Sequence, residues 1–113
     1  MGFLIHYMIL ESAILYVKEE QEKDFEKDFE EAGQYISAVA GYIGHTLHKR
    51  LEEKSKYLLS VEWEKLEDHT VGFRKSAGYH EWKRLLHHYY DPFPTVEHYQ
   101  LVLKNKKEIN KKS

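Results

Sequence analysis

The stretch YIGHTLHKRLEEKSKYLLSVEW, residues 42–63, decides the fold. Its first half alternates Ile43, His45, Leu47, Lys49 and Leu51 against Tyr42, Gly44, Thr46, His48 and Arg50, the two-residue period of a β-strand. Its second half sets Tyr57, Leu59, Val61 and Trp63 on one face of another strand. Polar Glu52, Glu53, Lys54 and Ser55 form a short hairpin connection between them, so the two strands pair antiparallel. Toward the N-terminus, Gly41 sits where a helix is stopped and turned. Before it, KEEQEKDFEKDFEEAGQYISAVAG (18–41) places Phe25, Phe29, Ala32, Ile36 and Val39 at three- and four-residue spacing, which predicts an amphipathic helix. Its Glu and Lys residues, one turn apart, read as a solvated face. Ahead of that, MILESAILYV (8–17) is apolar and interrupted only by Glu11 and Ser12, as in a buried strand.

Toward the C-terminus, LEDHTVGFRK (66–75) predicts a short helical piece, and AGYHEWKRLLHHYY (77–90) a clearer helix with Tyr79, Trp82, Leu86 and Tyr89 on one side. Ser76 can cap its start. The prolines of DPFP (91–94) close it, and TVEHYQLVL (95–103) supplies a last strand with Val96 and Val102 on one face and Tyr99, Leu101 and Leu103 on the other. The order β-α-β-β-(short α)-α-β is α+β and ferredoxin-like, βαββαβ, a four-stranded antiparallel sheet with helices on one face. The other face carries apolar side chains from every strand, more than a monomer tolerates in water, so a homodimer with two sheets face to face in a barrel is expected.

The totals narrow the function. At 113 residues there is room for one domain, and 42% hydrophobic with 32% charged residues is an ordinary globular balance. A net charge of -2 with the signs intermixed offers no field for nucleic acid. The absence of cysteine excludes disulfides, thiolate zinc sites and cysteine nucleophiles, and suits a reducing compartment, so a cytoplasmic location is expected. The apolar run at Met1–Val17 lacks a basic flank and a cleavage signal, carries His6 and Glu11, and falls short of the ~20 residues that span a bilayer, so no membrane partner is expected. No phosphate-binding loop, GxSxG elbow or DNA-reading helix is present. What stands out is an aromatic content of 14%, with nine Tyr, and eight His.

The segments MILESAILYVKEEQEKDFEKDFEEA (8–32) and VEWEKLEDHTVGFRKSAGYHEWKRLLHHYYDPFPTVEHY (61–99) resemble those of antibiotic biosynthesis monooxygenase (ABM) domain proteins. The resemblance spans Met8 to Leu103, which makes 1–7 an N-terminal extension, 8–103 the domain and 104–113 a polar, basic tail. It implies a dimeric α+β barrel with a cavity in each subunit between sheet and helices. It also implies relatives that oxidise aromatic polyketides with O2 without metal, flavin or haem, the substrate supplying the electrons. A second branch degrades haem with an Asn on the first strand, a Trp on the short helix and a haem-ligating His on the next helix. Aligned by pattern, this chain has Ala13 at the Asn position and Phe73 near the Trp position, and the ligand position falls nearest Lys83 or Arg84, with His87 and His88 further along. The expected function is therefore a cofactor-independent monooxygenase acting on a small aromatic or quinol-like compound. A non-catalytic small-molecule-binding or stress-response protein on the same scaffold is the alternative, and a haem-degrading enzyme the third reading.

Within that expectation Glu11 is the candidate base. It shares a strand face with Ile9, Ala13 and Leu15, and desolvation there raises a carboxyl toward the range useful for removing a phenolic proton. The structural alternative is an ion pair with Lys49, Arg50 or Arg74. His69 is the second catalytic candidate, able to shuttle a proton, against a plainer part in a helix-start hydrogen bond. Arg74 can hold an anionic substrate or pair with Glu62 or Glu64. Trp63, Phe73, Tyr79, Trp82 and His87 are candidate substrate contacts, though aromatics at helical spacing also serve as core. His87, His88, Asp91 and His98 include good metal ligands, but adjacent His87 and His88 point about 100° apart on a helix, so no metal is expected and these residues secure the helix exit above DPFP by hydrogen bonds or lie at the dimer interface.

Overall fold

The computed structural model describes residues 8–108. Four strands, β1 (Ile9–Tyr16), β2 (Tyr42–Lys49), β3 (Lys56–Trp63) and β4 (Val96–Gln100), alternate with helices α1 (Glu22–Ser37) and α2 (Ala77–Leu86) in the order β1-α1-β2-β3-α2-β4. A π-helical turn, Asp68–Phe73, precedes α2, and a 3-10 turn, His87–Tyr89, follows it. Every neighbouring pair is antiparallel and the sheet order is β2-β3-β1-β4, so the α+β, ferredoxin-like expectation holds. The expected extension, 1–7, and the last five residues of the expected tail lie outside the described residues. Among the described residues no helix is long and apolar enough to cross a membrane.

β1 is central because it is apolar on both sides. Glu11, Ala13, Leu15 and Val17 are buried toward the helices, while Leu10 and Ile14 stay more than a third exposed on the opposite face. Buried Tyr57, Leu59, Val61 and Trp63 of β3 extend the inner face, as their alternation predicts. α1 lays Phe25, Phe29, Ala32 and Ile36 on that face. The Phe25 ring meets Tyr57 at 4.9 Å and Phe29 at 5.6 Å between centroids. The acidic side of α1 is more than a solvated surface. Its Glu26 and Asp28 accept hydrogen bonds from the hydroxyls of Tyr57 and Tyr89, at 2.6 Å each, which satisfies two tyrosines whose rings are buried.

Three details depart from the sequence reading. α1 ends at Ser37, so Val39 packs half-buried from the turn that follows, where Gly41 takes φ +90 and the Asp68 carboxylate occupies the space a Cβ would need. In β2 the pairing jumps from Tyr42↔Trp63 to Gly44↔Glu62, a bulge at Ile43. This extra residue returns Tyr42 to the inner face beside His45, whose Nδ1 lies 2.5 Å from the Tyr42 hydroxyl, although strict alternation sets the two apart. Finally, β4 stops at Gln100. Among the described residues its pairing with β1 ends at Gln100 opposite Ile9, and Val102 and Leu103, expected in this strand, are 94% and 81% exposed.

Candidate active site

The site begins with Glu11 in the middle of β1. The strand period turns its carboxylate inward between Ile9 and Ala13, and only 5% of the residue is exposed. The indole of Trp63, across the β1–β3 ladder, donates from Nε1 to Glu11 Oε1 at 2.9 Å. The other carboxylate oxygen, Oε2, is 3.5 Å from Nε2 of His69. Burial raises the Glu11 carboxyl above its ordinary range, opposed by the Trp63 hydrogen bond and the charge of Arg74. Neither Lys49 nor Arg50 is the counter-ion, since Lys49 pairs with Glu26 at 3.2 Å and Arg50 with Glu52 at 3.6 Å. Among the described residues Arg74 forms no ion pair, with Glu62, Glu64 or any other carboxylate.

His69 is 3% exposed and lies second in the π-helical turn, where its side chain bonds His98 and no backbone group of the helix start. Its ring stacks on Trp63 with centroids 5.7 Å apart and planes 23° from parallel, and its Nδ1 lies 2.8 Å from Nε2 of His98. The local reason is the π-helical winding of Asp68–Phe73. The N–H of Arg74 donates to the carbonyl of His69, five residues back, at 3.3 Å. Closing the turn on five residues instead of four brings His69 and Arg74 round to the same side, where an α-helix would separate them. Burial, then the charges of Arg74 and His98, pushes the His69 pKa down from 6.5 to about 4, so the ring is neutral at pH 7. The 3.5 Å contact with Glu11 is then made by a neutral imidazole and is no ion pair.

That depression makes His69 a stability switch. Unfolded, the ring binds a proton near pH 6.5; folded, only near 4, so stability is full at neutral pH and is lost as pH falls between those values. The loss is on the order of 3 kcal/mol. Glu11 works in the opposite sense on acidification, so the quantity to measure is the difference in urea stability between wild type and His69→Gln at pH 7 and pH 4. The variant is expected to lack the decline, and parallel losses in both proteins would refute it.

These groups face a cavity of about 220 Å³ between sheet and helices. Glu11, Ala13, Leu15 and Leu59 form its floor, and His69, Phe73, Arg74, Tyr79 and Trp82 one wall. His87, Tyr90, Phe93, Pro94 and Val96 supply the rest from the chain leaving α2. Of the candidate catalytic and substrate-contact residues, all but Trp63 line this space; Trp63 is fully buried and reaches it only through Glu11. Phe73 and Trp82 are core and wall together, with ring centroids 5.5 Å apart. Sequence reasoning missed Tyr90, Phe93 and Pro94, which looked like a mere helix stop. It also weighed His98 as a metal ligand or as a helix-exit or dimer-interface residue, and not as a partner of His69. The residues of that set are dispersed: His87 packs on Phe93 at 4.8 Å, His88 bonds the Leu85 carbonyl at 3.1 Å, and the Asp91 N–H donates to the Tyr16 carbonyl at 2.8 Å. Among the described residues no three His, Asp or Glu side chains converge as metal ligands.

The cavity does not suit a haem. Its volume lies below the ~300–1,000 Å³ of sites for drug-sized ligands, which are themselves smaller than a porphyrin. Ala13 is a floor residue with no polar group to offer, and Arg84, one of the two residues nearest the position of the haem ligand, is held at the surface by Glu81 at 2.8 Å.

The family model described as Antibiotic biosynthesis monooxygenase matches residues 8–85. The uncharacterized protein YczJ of Bacillus subtilis is 58% identical over 95 residues, which are 84% of this chain and 100% of YczJ. Among solved structures, an antibiotic biosynthesis monooxygenase-like protein from Bordetella bronchiseptica superposes with a TM-score of 0.81 at 36% identity, covering 86% of this chain and 99% of its own. SnoaB, a cofactor-independent oxygenase from Streptomyces nogalater, superposes with a TM-score of 0.69 at 15% identity over 88% of this chain and 96% of its own, a likeness of fold alone.

Proposed function

Because the chain belongs to the antibiotic biosynthesis monooxygenase family, we propose that it is a cofactor-independent monooxygenase that oxidises a small aromatic or quinol-like compound with O2. The observation that carries this reading is the desolvated Glu11 carboxylate, held by Trp63 and faced by His69, on the floor of an aromatic cavity. A carboxylate with a raised pKa is a stronger base than one in water, and Phe73, Tyr79 and Trp82, which line the same cavity, support a flat ligand beside it.

The reaction it supports removes a proton from an activated C–H or phenolic O–H of the substrate. The resulting anion is electron-rich enough to reduce O2, and a carbon–oxygen bond forms to give a peroxide. The peroxide takes up a proton, and the second C–H bond of the same carbon breaks together with the O–O bond, releasing water and leaving a carbonyl. Four electrons come from the substrate carbon, one oxygen atom ends in the product and the other in water. Size limits the substrate. A cavity of ~150 Å³ accepts benzene, so about 220 Å³ suits one substituted ring or two fused rings. Arg74, a wall residue without a carboxylate partner among the described residues, favours substrates that carry or develop negative charge.

The test is oxygen uptake with a panel of one- and two-ring hydroquinones and one- and two-ring aryl ketones that carry an activated CH2, in metal-free buffer. One O2 is expected per carbonyl formed, with no added reductant. Ligand binding without uptake would refute the oxygenase and identify the non-catalytic binding protein that is the other reading of this scaffold.

The partner is proposed to be a second copy. Leu10, Ile14 and Leu58 are each more than a third exposed on the sheet face opposite the helices, and twin sheets would cover one another there. Sedimentation is expected to give twice the 13.6 kDa chain mass, and Leu58→Glu, a charge in the middle of that face, to give monomer. A wild type that sediments as 13.6 kDa would refute the dimer.

A further inference from the structure

We propose that Glu11, His69 and His98 form a proton path from the cavity floor to the protein surface, with His98 as its outer end. The proposal rests on the reading of Glu11 as the base and says where the proton goes while O2 reacts.

The geometry assigns each link. β1 pairs with β4 so that Glu11 stands directly opposite His98, and the π-helical turn lowers His69 between them. From Glu11 Oε2 to His69 Nε2 is 3.5 Å, and from His69 Nδ1 to His98 Nε2 is 2.8 Å. His69 is therefore contacted through both of its ring nitrogens, one on each side. Trp63 occupies Glu11 Oε1, which leaves Oε2 as the oxygen open to exchange. His69 is shut away from water, whereas His98 is exposed, so the polarity of the path is fixed by burial. The titratable and charged groups facing His69 are Glu11 from β1, Arg74 from its own turn and His98 from β4; the β3 neighbour, Trp63, carries no charge. A purely structural filler here needs none of this. Two buried-to-surface imidazoles in contact satisfy each other only if one donates and the other accepts, and an apolar residue of the same size would avoid that demand.

The proton balance closes. Glu11 takes the substrate proton and passes it to His69 Nε2, while the proton on His69 Nδ1 moves to His98 Nε2, so the positive charge waits at the surface. After O2 has added to the carbon, the same transfers run backward and deliver the proton to the peroxide anion; the hydroperoxide then gives up the remaining hydrogen of that carbon as its O–O bond breaks, leaving a carbonyl and one water. No net proton leaves the protein, and both rings regain their starting tautomers. The 3.5 Å link is the one that substrate binding must shorten.

The test uses His98→Ala with an oxygen-consuming substrate from the panel. A fall in kcat of about 10- to 100-fold is expected with KM unchanged, because His98 is not in the cavity wall. Added imidazole is expected to restore kcat saturably, since a small base can reach the vacated surface position. In parallel, NMR of the ¹⁵N-labelled wild type is expected to show a through-hydrogen-bond coupling between His69 Nδ1 and His98 Nε2, a readout that needs neither turnover nor a folded variant. An absent coupling, or a His98→Ala variant as active as wild type while Glu11→Gln is dead, overturns the path and leaves the oxygenase intact. A fall in kcat that imidazole does not rescue in a folded variant also overturns it. Coupling present in a protein that consumes no oxygen with any substrate overturns the oxygenase and the path with it.

Discussion

Glu11→Gln is expected to lower kcat by about 10²- to 10⁴-fold, the range that a positioned base contributes. The substitution is nearly isosteric, and the amide oxygen can still accept from Trp63 Nε1, so the hydrogen bond that orients the side chain survives. What disappears is the ability to hold a proton. KM is expected to change little, because the aromatic wall that grips the substrate is untouched. The same variant has an opposite signature in stability. Glu11 is raised on folding, so its favourable contribution is present below the ordinary carboxylate range and is lost as pH rises through the folded value. Gln never bears the desolvated charge that Glu11 takes on as pH rises through its folded value, so the variant should gain in urea stability over the wild type across that rise and not at pH 4. A variant that is both less active and more stable is the mark of a functional charge retained at a cost. Unchanged turnover on an identified substrate would remove Glu11 from the mechanism.

Trp63→Ala is expected to cost about 3–5 kcal/mol, as for other buried aromatics cut to Ala. At about 4–8 °C per kcal/mol for a domain of this size, the melting temperature should drop by at least ~12 °C. Trp63 has no exposed surface, and its ring is edged or stacked by Tyr42 at 6.0 Å, His69 at 5.7 Å and Phe73 at 6.1 Å, so several elements lose a packing partner together. Trp63→Phe separates the two tasks of the indole. It keeps most of the ring volume but deprives Glu11 Oε1 of its buried donor, which costs about 1–3 kcal/mol. Since that donor opposes the effect of burial, its removal raises the Glu11 carboxyl further, and the acid limb of the kcat profile should move to higher pH. Thermal melts and a pH series on the two variants check this. A melting point for Trp63→Ala within a few degrees of wild type would show that the ring is not a keystone of the core.

The cavity wall was legible to an unequal degree. Tyr79 and Trp82 declare themselves by helical spacing, and Glu11 by its place on the apolar side of a strand, because a side chain's direction follows from backbone angles within a few residues. Ser76 announces α2 in the same local way and does cap it, accepting from the Tyr79 N–H at 3.3 Å. The far wall was hidden. Tyr90, Phe93 and Pro94 belong to an irregular segment with no period to read, and only its path over the mouth of the cavity reveals their task.

Local periodicity in the chain was enough to establish the element order, the hairpin, the buried side of α1 and the inward face of Glu11. The assembly of the site was decided in three dimensions. Trp63 meets Glu11 across 52 residues of chain and His98 meets His69 across 29. Both meetings depend on strand register, and a slip of one residue in β1 or β4 would turn the groups to opposite faces. The π-helical closure that aims His69 and Arg74 together, and the bulge that returns Tyr42 to the inner face, are likewise choices among local geometries of similar energy. Packing of the completed sheet against its helices selects among them, and that selection is a property of the whole fold.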